Sequence, residues 1–444
     1  DYTIYGGTQD DATVYGPPKE LNTKFSDPWK YVWIDPWDGG DGCVTQVDPE
    51  DKSIIYYSRQ HGDAMRLDKA KDMAVSIMPT LPKEIKDTLV FNYMTPYFLS
   101  AYNSKTLYHG GNYVLKSIDR GDTWKVISPN LTLSTIKEKK SFATGTIAES
   151  LIEKGLLYAG TDHGACWVSR NDGATWEERS VGLAHNYIRS IAPSRHKISR
   201  VYLSMTGINY DDLHSYVYSS EDYGKNWKSI SQGLPDEPVN VIKEDPANEN
   251  ILYAGGLRGV YISIDRGNSW SYLGIKMPAA AVADLEIHEQ TMDLIVGTHG
   301  RGIYKTNLKS IQKMVSQNLS KDKDYLFEID QANRPWFNSS SGEPDYRTVE
   351  KVAISFWLNK AKPITLAIHD SSNKEIWKTE IMGQSGFNQY RWDLITRKQT
   401  SDYPYFIDYD LFIEKGTYVV TMSTGEDQLQ QTLVVVNGTS PYVR

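Results

Sequence analysis

The sequence is poor in cysteine, with two among 444 residues, Cys43 and Cys166. Two distant thiols give neither a disulfide framework nor a metal-ligand spacing, so both are expected to be buried and free. No apolar run approaches the roughly 20 residues of a membrane-spanning helix. Basic residues are not in surplus either. The 48 Lys and Arg stand against 56 Asp and Glu, a net charge of −8, which argues against nucleic-acid binding and against docking on anionic lipid. No Gly-x-Ser-x-Gly, P-loop or dinucleotide fingerprint occurs, and no cofactor or metal is expected. An initiator methionine and a signal peptide are also missing. The chain opens inside a strand-like run, "DYTIYGGTQDD", and reads as a mature or excised piece of a longer protein.

What is present is aromatic and repetitive. There are 30 Tyr and 12 Trp. "SIDRGDTW", "SRNDGATW", "SEDYGKNW" and "SIDRGNSW" begin at residues 117, 169, 220 and 263, spaced 52, 51 and 43 residues apart. That is the span of one four-stranded propeller blade. Before each phrase comes a β-rich run, a glycine-containing turn and a second run, as in "ILYAGGLRGVYIS". Weaker copies start near residues 4, 54 and 293. Inner strands are signalled by "CVTQVDP", "YIRSIAPS", "VNVIKEDP" and "VADLEIHE". With strands A to D counted outward from the ring axis, seven units result. The first lacks strand A and the seventh lacks strand D. A propeller leaves few open edges, so an upstream segment or another envelope protein is expected to complete the ring.

The phrase falls at the C-to-D turn, and its residue types suit structural work. Ser117, Ser169, Ser220 and Ser263, with Asp119, Asn171, Asp222 and Asp265, have short side chains that accept turn N–H groups. Gly121, Gly173, Gly224 and Gly267 supply backbone conformations that other residues resist. Trp124, Trp176, Trp227 and Trp270 pack between blades. Catalysis needs one asymmetric constellation, not four copies, and Asn171 cannot act as a base. The phrase resembles the Asp-box of neuraminidase-type repeats, shared by sialidases, xyloglucanases and the sortilin ectodomain. "YGGTQDD", "GGDG" and "GTHGRGIY" resemble the large secreted glycosyl-hydrolase-like or sortilin-like propellers of Bacteroidetes-type bacteria. The usual Gln-Asp-Asn-Gly of that family is "QDDA" here, with Asp11 and Ala12. The resemblance implies a secreted or outer-membrane, cell-surface location.

Function is expected on the opposite face, where B-to-C turns differ from copy to copy. Those turns bring together Gln9, Asp10, Asp11, His61, Asp162, His163, Tyr210, Asp211, Asp212, Arg258, His299 and Arg301, with Asp38 and Asp41 from the D-to-A connections. Asp10 or Asp11 against Asp162 or Asp211 are the candidate catalytic carboxylates for glycosidic hydrolysis. The others are candidate ligand contacts. Arg258 and Arg301 suit a substrate carboxylate, but a sialidase would need a third arginine. The histidines lie in separate blades without paired spacing and are read as hydrogen-bonding groups.

The pattern changes after Asn307. "LKSIQKMVSQNL" spaces Leu308, Ile311, Met314, Val315 and Leu319 as a helix. Alternating strands follow, with Trp392 expected in their core and Gly416 in a turn. "GFNQYRWDL…KGTYVV" resembles the FlgD-like immunoglobulin-type modules behind secreted bacterial enzymes. The expected organisation is all-β: an Asp-box β-propeller at 1–307, a linker helix at 308–323 and a β-sandwich at 324–444. The expected function is a glycan-associated propeller, with glycoside hydrolysis if it is an enzyme. The alternative is a non-catalytic peptide- or protein-binding propeller, or a scaffold subunit of a cell-envelope complex.

Overall fold

The computed structural model describes residues 2–18, 28–32, 40–132, 142–274, 277–399, 409–425 and 427–440. The chain divides into two compact units. The first comprises Asp1–Pro18, Asp27–Trp270 and Ala279–Tyr304; the second comprises Lys19–Ser26, Ser271–Pro278 and Lys305–Arg444.

The first unit is a β-propeller of seven sheets taken in chain order. The second to fifth sheets each have four strands and open on the inner strands Thr45–Val47, Tyr97–Leu99, Thr144–Glu149 and Tyr187–Pro193. The sixth opens on Val239–Glu244 and the seventh on Val282–His288. The first sheet has three strands, Ile4–Gly7, Thr13–Gly16 and Lys30–Tyr31, and the seventh also has three. From the third sheet to the seventh, successive inner strands pack on one another. The first sheet meets the seventh through Tyr2. Its ring stacks on His288 at 4.0 Å, and its hydroxyl donates to Asp293 Oδ2 at 2.9 Å.

Second strands read as unbroken apolar runs because both of their faces are covered. Ile54–Ser58, Leu157–Thr161 and Leu252–Gly256 are buried along their whole length. The glycine in "LYAG" has a packing reason. A Cβ on Gly160 would lie 2.5 Å from Ile188 Cγ2, and one on Gly255 would lie 2.6 Å from Val282 Cγ1. Each contact is with the inner strand of the next sheet, so a side chain here would push adjacent sheets apart.

The repeated phrase is a hydrogen-bonded turn with a pin. Ser117 Oγ accepts the Gly121 N–H at 2.8 Å and donates to Asp119 Oδ1 at 2.7 Å. Asp119 Oδ1 also accepts the Thr123 N–H at 2.9 Å. Arg120 and Gly121 are both left-handed, with φ of 62° and 89°. Asn171 does the same job through its carbonyl, accepting the Thr175 N–H at 2.9 Å. The tryptophans then tie sheet to sheet. Nε1 of Trp124, Trp176, Trp227 and Trp270 donates to the carbonyls of Ile77, Ile127, Arg179 and Ile230, each on the preceding sheet.

In the second unit, the helix Lys309–Ser316 buries Ile311 and Met314. Two sheets follow. One has Tyr325–Leu326, Val352–Leu358 and Gly386–Trp392; the other is five-stranded and includes Lys362–His369, Gly416–Ser423 and Gln428–Val436. Their inner faces enclose Ile354, Phe356, Leu366, Trp392, Val420 and Leu433, all nearly inaccessible to solvent. Segment 271–274 belongs to this unit. Gly274 N–H donates to Phe387 O at 3.0 Å, and Gln389 N–H to Gly274 O at 3.1 Å.

Candidate functional site

The B-to-C turns of the first unit are fastened by backbone bonds to the D-to-A connections running beside them. His61 N–H donates to Tyr93 O, Asp162 N–H to Ala143 O and His299 N–H to Ala281 O. This face is therefore a set of paired loops, and the residues expected from sequence fall into local clusters.

In the first cluster, Asp10 is left-handed at φ 61°, and its N–H donates to Asp41 Oδ1 at 2.9 Å. The Tyr93 hydroxyl donates to Asp41 Oδ2. Gln60 Oε1 accepts the Asp41 N–H at 3.1 Å, and the His61 ring meets Tyr93 edge-on at 5.3 Å. Gln9 and Asp11 are exposed beside it. Asp38 lies outside the described residues.

The second cluster centres on Asp162 and His163. Asp162 Oδ2 accepts from the Ala143 N–H at 3.2 Å and from Asn92 Nδ2 at 3.5 Å. His163 is buried, with Nδ1 3.6 Å from Asp162 Oδ1 and its ring 4.8 Å from Phe142.

A long hairpin pairs Val201–Gly207 with Asp212–Ser220 and is closed by the short 3-10 segment Ile208–Tyr210. Asp212 anchors it. Its carboxylate accepts from Asn186 Nδ2 and the Tyr216 hydroxyl, each at 2.9 Å, and meets His214 Nδ1 at 2.8 Å. The bonds from His214 and then Asn186 hold this carboxyl well below the usual carboxylate range. Asp212 raises His214 in return, and Asp236 adds to the effect. Asp211 is left-handed at φ 57° and solvent-facing. Ile208, Tyr210 and Leu213 are 46%, 56% and 52% exposed, so the hairpin presents apolar groups to water.

Arg258 is engaged rather than open. Its Nε donates to Glu237 Oε2 at 2.6 Å, and Tyr261 donates to the same carboxylate at 2.8 Å. His299 and Arg301 are exposed on the seventh turn. Among the described residues, no hydrogen bond or ion pair joins Asp162 to Asp10, Asp11 or Asp211.

Sequence reasoning placed the inner strands but missed the charged side chains they carry. Lys243 Nζ lies 3.0 Å from Glu286 Oε2, and attraction to Glu286 pushes the ammonium up to about 12. Asp284, two residues before Glu286, is exposed on the same strand and feels the charges of Lys243, Glu286 and Arg189. Arg189 lies over the Tyr187 ring at 5.2 Å. The signal was present in "VADLEIHE", where acids alternate with buried Val282, Leu285 and Ile287. Alternation puts those acids on the axial face. Asn92, Asn186 and Glu237 were also missed, because connection residues carry no motif.

Residues 215–389 match the family model for Sortilin-Vps10, described as sortilin, neurotensin receptor 3. No curated protein matches the chain. Among solved structures, an ancestral GH74 enzyme is 10% identical with a TM-score of 0.53, covering 95% of this chain and 57% of that one. The fold is that of a sortilin-like β-propeller. The GH74 xyloglucanase of Xanthomonas campestris is 15% identical with a TM-score of 0.48, covering 75% of this chain and 55% of that one. PorZ, a surface component of the type-IX secretion system of Porphyromonas gingivalis, is 12% identical with a TM-score of 0.41, covering 89% of this chain and 51% of that one. At such identities the likeness concerns fold alone. The chain spans little more than half the length of these structures.

Proposed function

We propose that this chain is a ligand-binding propeller of the bacterial cell surface, holding an extended peptide segment across its B-to-C face without cleaving it. The observation that carries the reading is how the rim uses its side chains. Asp41, Asp212 and Arg258 are spent on fastening loops together, while Ile208, Tyr210 and Leu213 stand in water. Exposed aliphatic and aromatic groups on a rigid hairpin suit peptide side chains. Asp211 and Asp236 beside them favour a basic peptide. The sortilin match, which takes in most of the hairpin's second strand, supports this reading. In it the four pinned turns are Asp-boxes, and the second unit is the FlgD-like, immunoglobulin-type module, spanning 324–444 behind a linker at 308–323. An upstream segment or an envelope protein would bind the first and seventh sheets.

The test uses a random linear peptide library. Recovered peptides are measured against the wild type and the Ile208→Ser/Leu213→Ser variant. The expected peptides combine apolar and basic residues, and the double variant weakens them by roughly thirtyfold, about 2 kcal/mol. Recovery of no peptide, or affinity indifferent to the variant, would overturn the reading.

One observation favours a hydrolytic second reading. Asp284 and Glu286 share the axial face of one inner strand, with Lys243 Nζ 3.0 Å from Glu286 Oε2, and paired carboxyls suit acid–base work. In that reading Asp284→Asn lowers turnover of a polysaccharide substrate by 10²-fold or more, on the order expected for a general acid. Turnover unchanged in the variant, or absent from the wild type across a polysaccharide panel, rules it out.

A further inference from the structure

The opposite face holds a feature that neither reading uses. Between the fifth and sixth sheets, beside the turns at Ser220 and Ser263, lies an open groove of about 750 Å³. That volume falls within the range of about 300–1,000 Å³ typical of small-molecule sites. Trp227 and Ile230 give it apolar surface, and Lys228, Asn226, Asn250 and Asn268 give it polar surface.

The hydrogen-bonding capacity left in the groove defines its ligand. Trp227 spends its Nε1 on Arg179 O, so its ring contributes a face and an edge only. Asn226 gives Nδ2 to Asp222 Oδ2, and Asn268 gives Nδ2 to Asp265 O, which leaves both carbonyl oxygens as acceptors. Asn250 Oδ1 accepts Arg266 Nη2, which leaves its own Nδ2 as a donor. Lys228 makes no side-chain hydrogen bond or ion pair among the described residues and adds an ammonium donor. The three carboxylates that line the groove, Glu221, Asp222 and Asp265, outnumber its two cations, Lys228 and Arg266, and disfavour an anionic ligand. A dense mixture of free donors and free acceptors beside a tryptophan suits hydroxyl groups, which donate and accept at once.

We propose that this groove binds a neutral oligosaccharide, with a sugar ring against Trp227 and its hydroxyls on Lys228, Asn226, Asn250 and Asn268. The site is independent of the peptide-binding face. It is also particular to this pair of repeats. The position of Lys228 is Lys125, Glu177 and Ser271 in the other copies, and that of Asn268 is Asp122, Ala174 and Lys225. The shared Ser and Gly build the turns, the shared Trp227 offers its ring, and the positions that differ provide the polar groups.

The test is saturation-transfer NMR on the whole protein with linear hexasaccharides of β-1,4-glucose, α-1,4-glucose and β-1,4-mannose, followed by calorimetry of any that bind. At least one should bind. Lys228→Ala/Asn268→Ala should weaken it by about thirtyfold, from two lost hydrogen bonds of about 1 kcal/mol each. Lys125→Ala, at the same position of another repeat, should leave affinity unchanged. Thermal melting confirms that both variants fold. If they do not, Lys228→Gln should retain the melt and weaken binding by itself. No transfer to any of the three sugars, or equal weakening by Lys125→Ala and by the groove variants, would overturn the proposal.

Discussion

Replacing Trp270 with alanine is expected to destabilise the first unit by about 4 kcal/mol, the usual cost of emptying a buried tryptophan site. Trp270 is 8% exposed, and its Nε1 donates to Ile230 O at 2.7 Å. The substitution removes ring packing between two sheets and also strands a carbonyl. Trp270→Phe keeps most of the packing and loses the bond, so it should cost only about 1–2 kcal/mol. Urea unfolding followed by circular dichroism gives both values. A loss under 1 kcal/mol for alanine would mean that the tryptophans do not pin the sheets.

Acid is expected to weaken the same unit through His109. This imidazole is 1% exposed, set among Phe91, Tyr97 and Trp124, and burial pulls it down to about 4. The unfolded chain returns it to the ordinary value of about 6.5. Below pH 6.5 the unfolded state therefore binds a proton that the folded state refuses. Stability is fully present above pH 6.5, falls as pH drops towards 4, and then levels off. The total loss from this one group is about 3 kcal/mol. His109→Gln stays neutral throughout, so the difference between wild type and variant isolates the effect. Urea midpoints for both proteins at pH 7 and pH 4.5 measure it. Identical pH dependence in the two would show that His109 is not the acid-sensitive group.

The propeller was legible because its repeat is written in residues with stereochemical duties. Ser, Asp or Asn, Gly and Trp recur at blade spacing, and each makes the contact its chemistry suggests: turn acceptor, left-handed residue, inter-sheet pin. The seven-unit count followed from the weaker strand-turn-strand copies. The candidate site was less legible. Alternation of turns placed Asp10, Asp162 and Asp212 on the B-to-C face. Their partners Tyr93, Asn92 and Asn186 lie in connections without any pattern, so sequence could not show that Asp212 is a loop anchor and not a free acid. The same blindness applies to Arg258, whose counter-ion Glu237 is 21 residues away. Asp284 and Lys243 were hidden for another reason. They come from consecutive sheets, and only the packing of one inner strand on the next brings them together.

The sequence also assigned the repeated-phrase face to structure alone. That holds for the shared positions, but the groove beside Trp227 is built from the positions that vary. A repeat can therefore be structural in its consensus and still carry a site in its exceptions.

The proposed meeting of the B-to-C face with a peptide is tested by amide hydrogen exchange with and without a saturating library-selected peptide. Exchange should slow in the hairpin around residues 206–214 and in its neighbours on that face, with the turns at Ser117, Ser169, Ser220 and Ser263 unchanged. Protection confined to those four turns, with the hairpin exchanging as in the free protein, would contradict it.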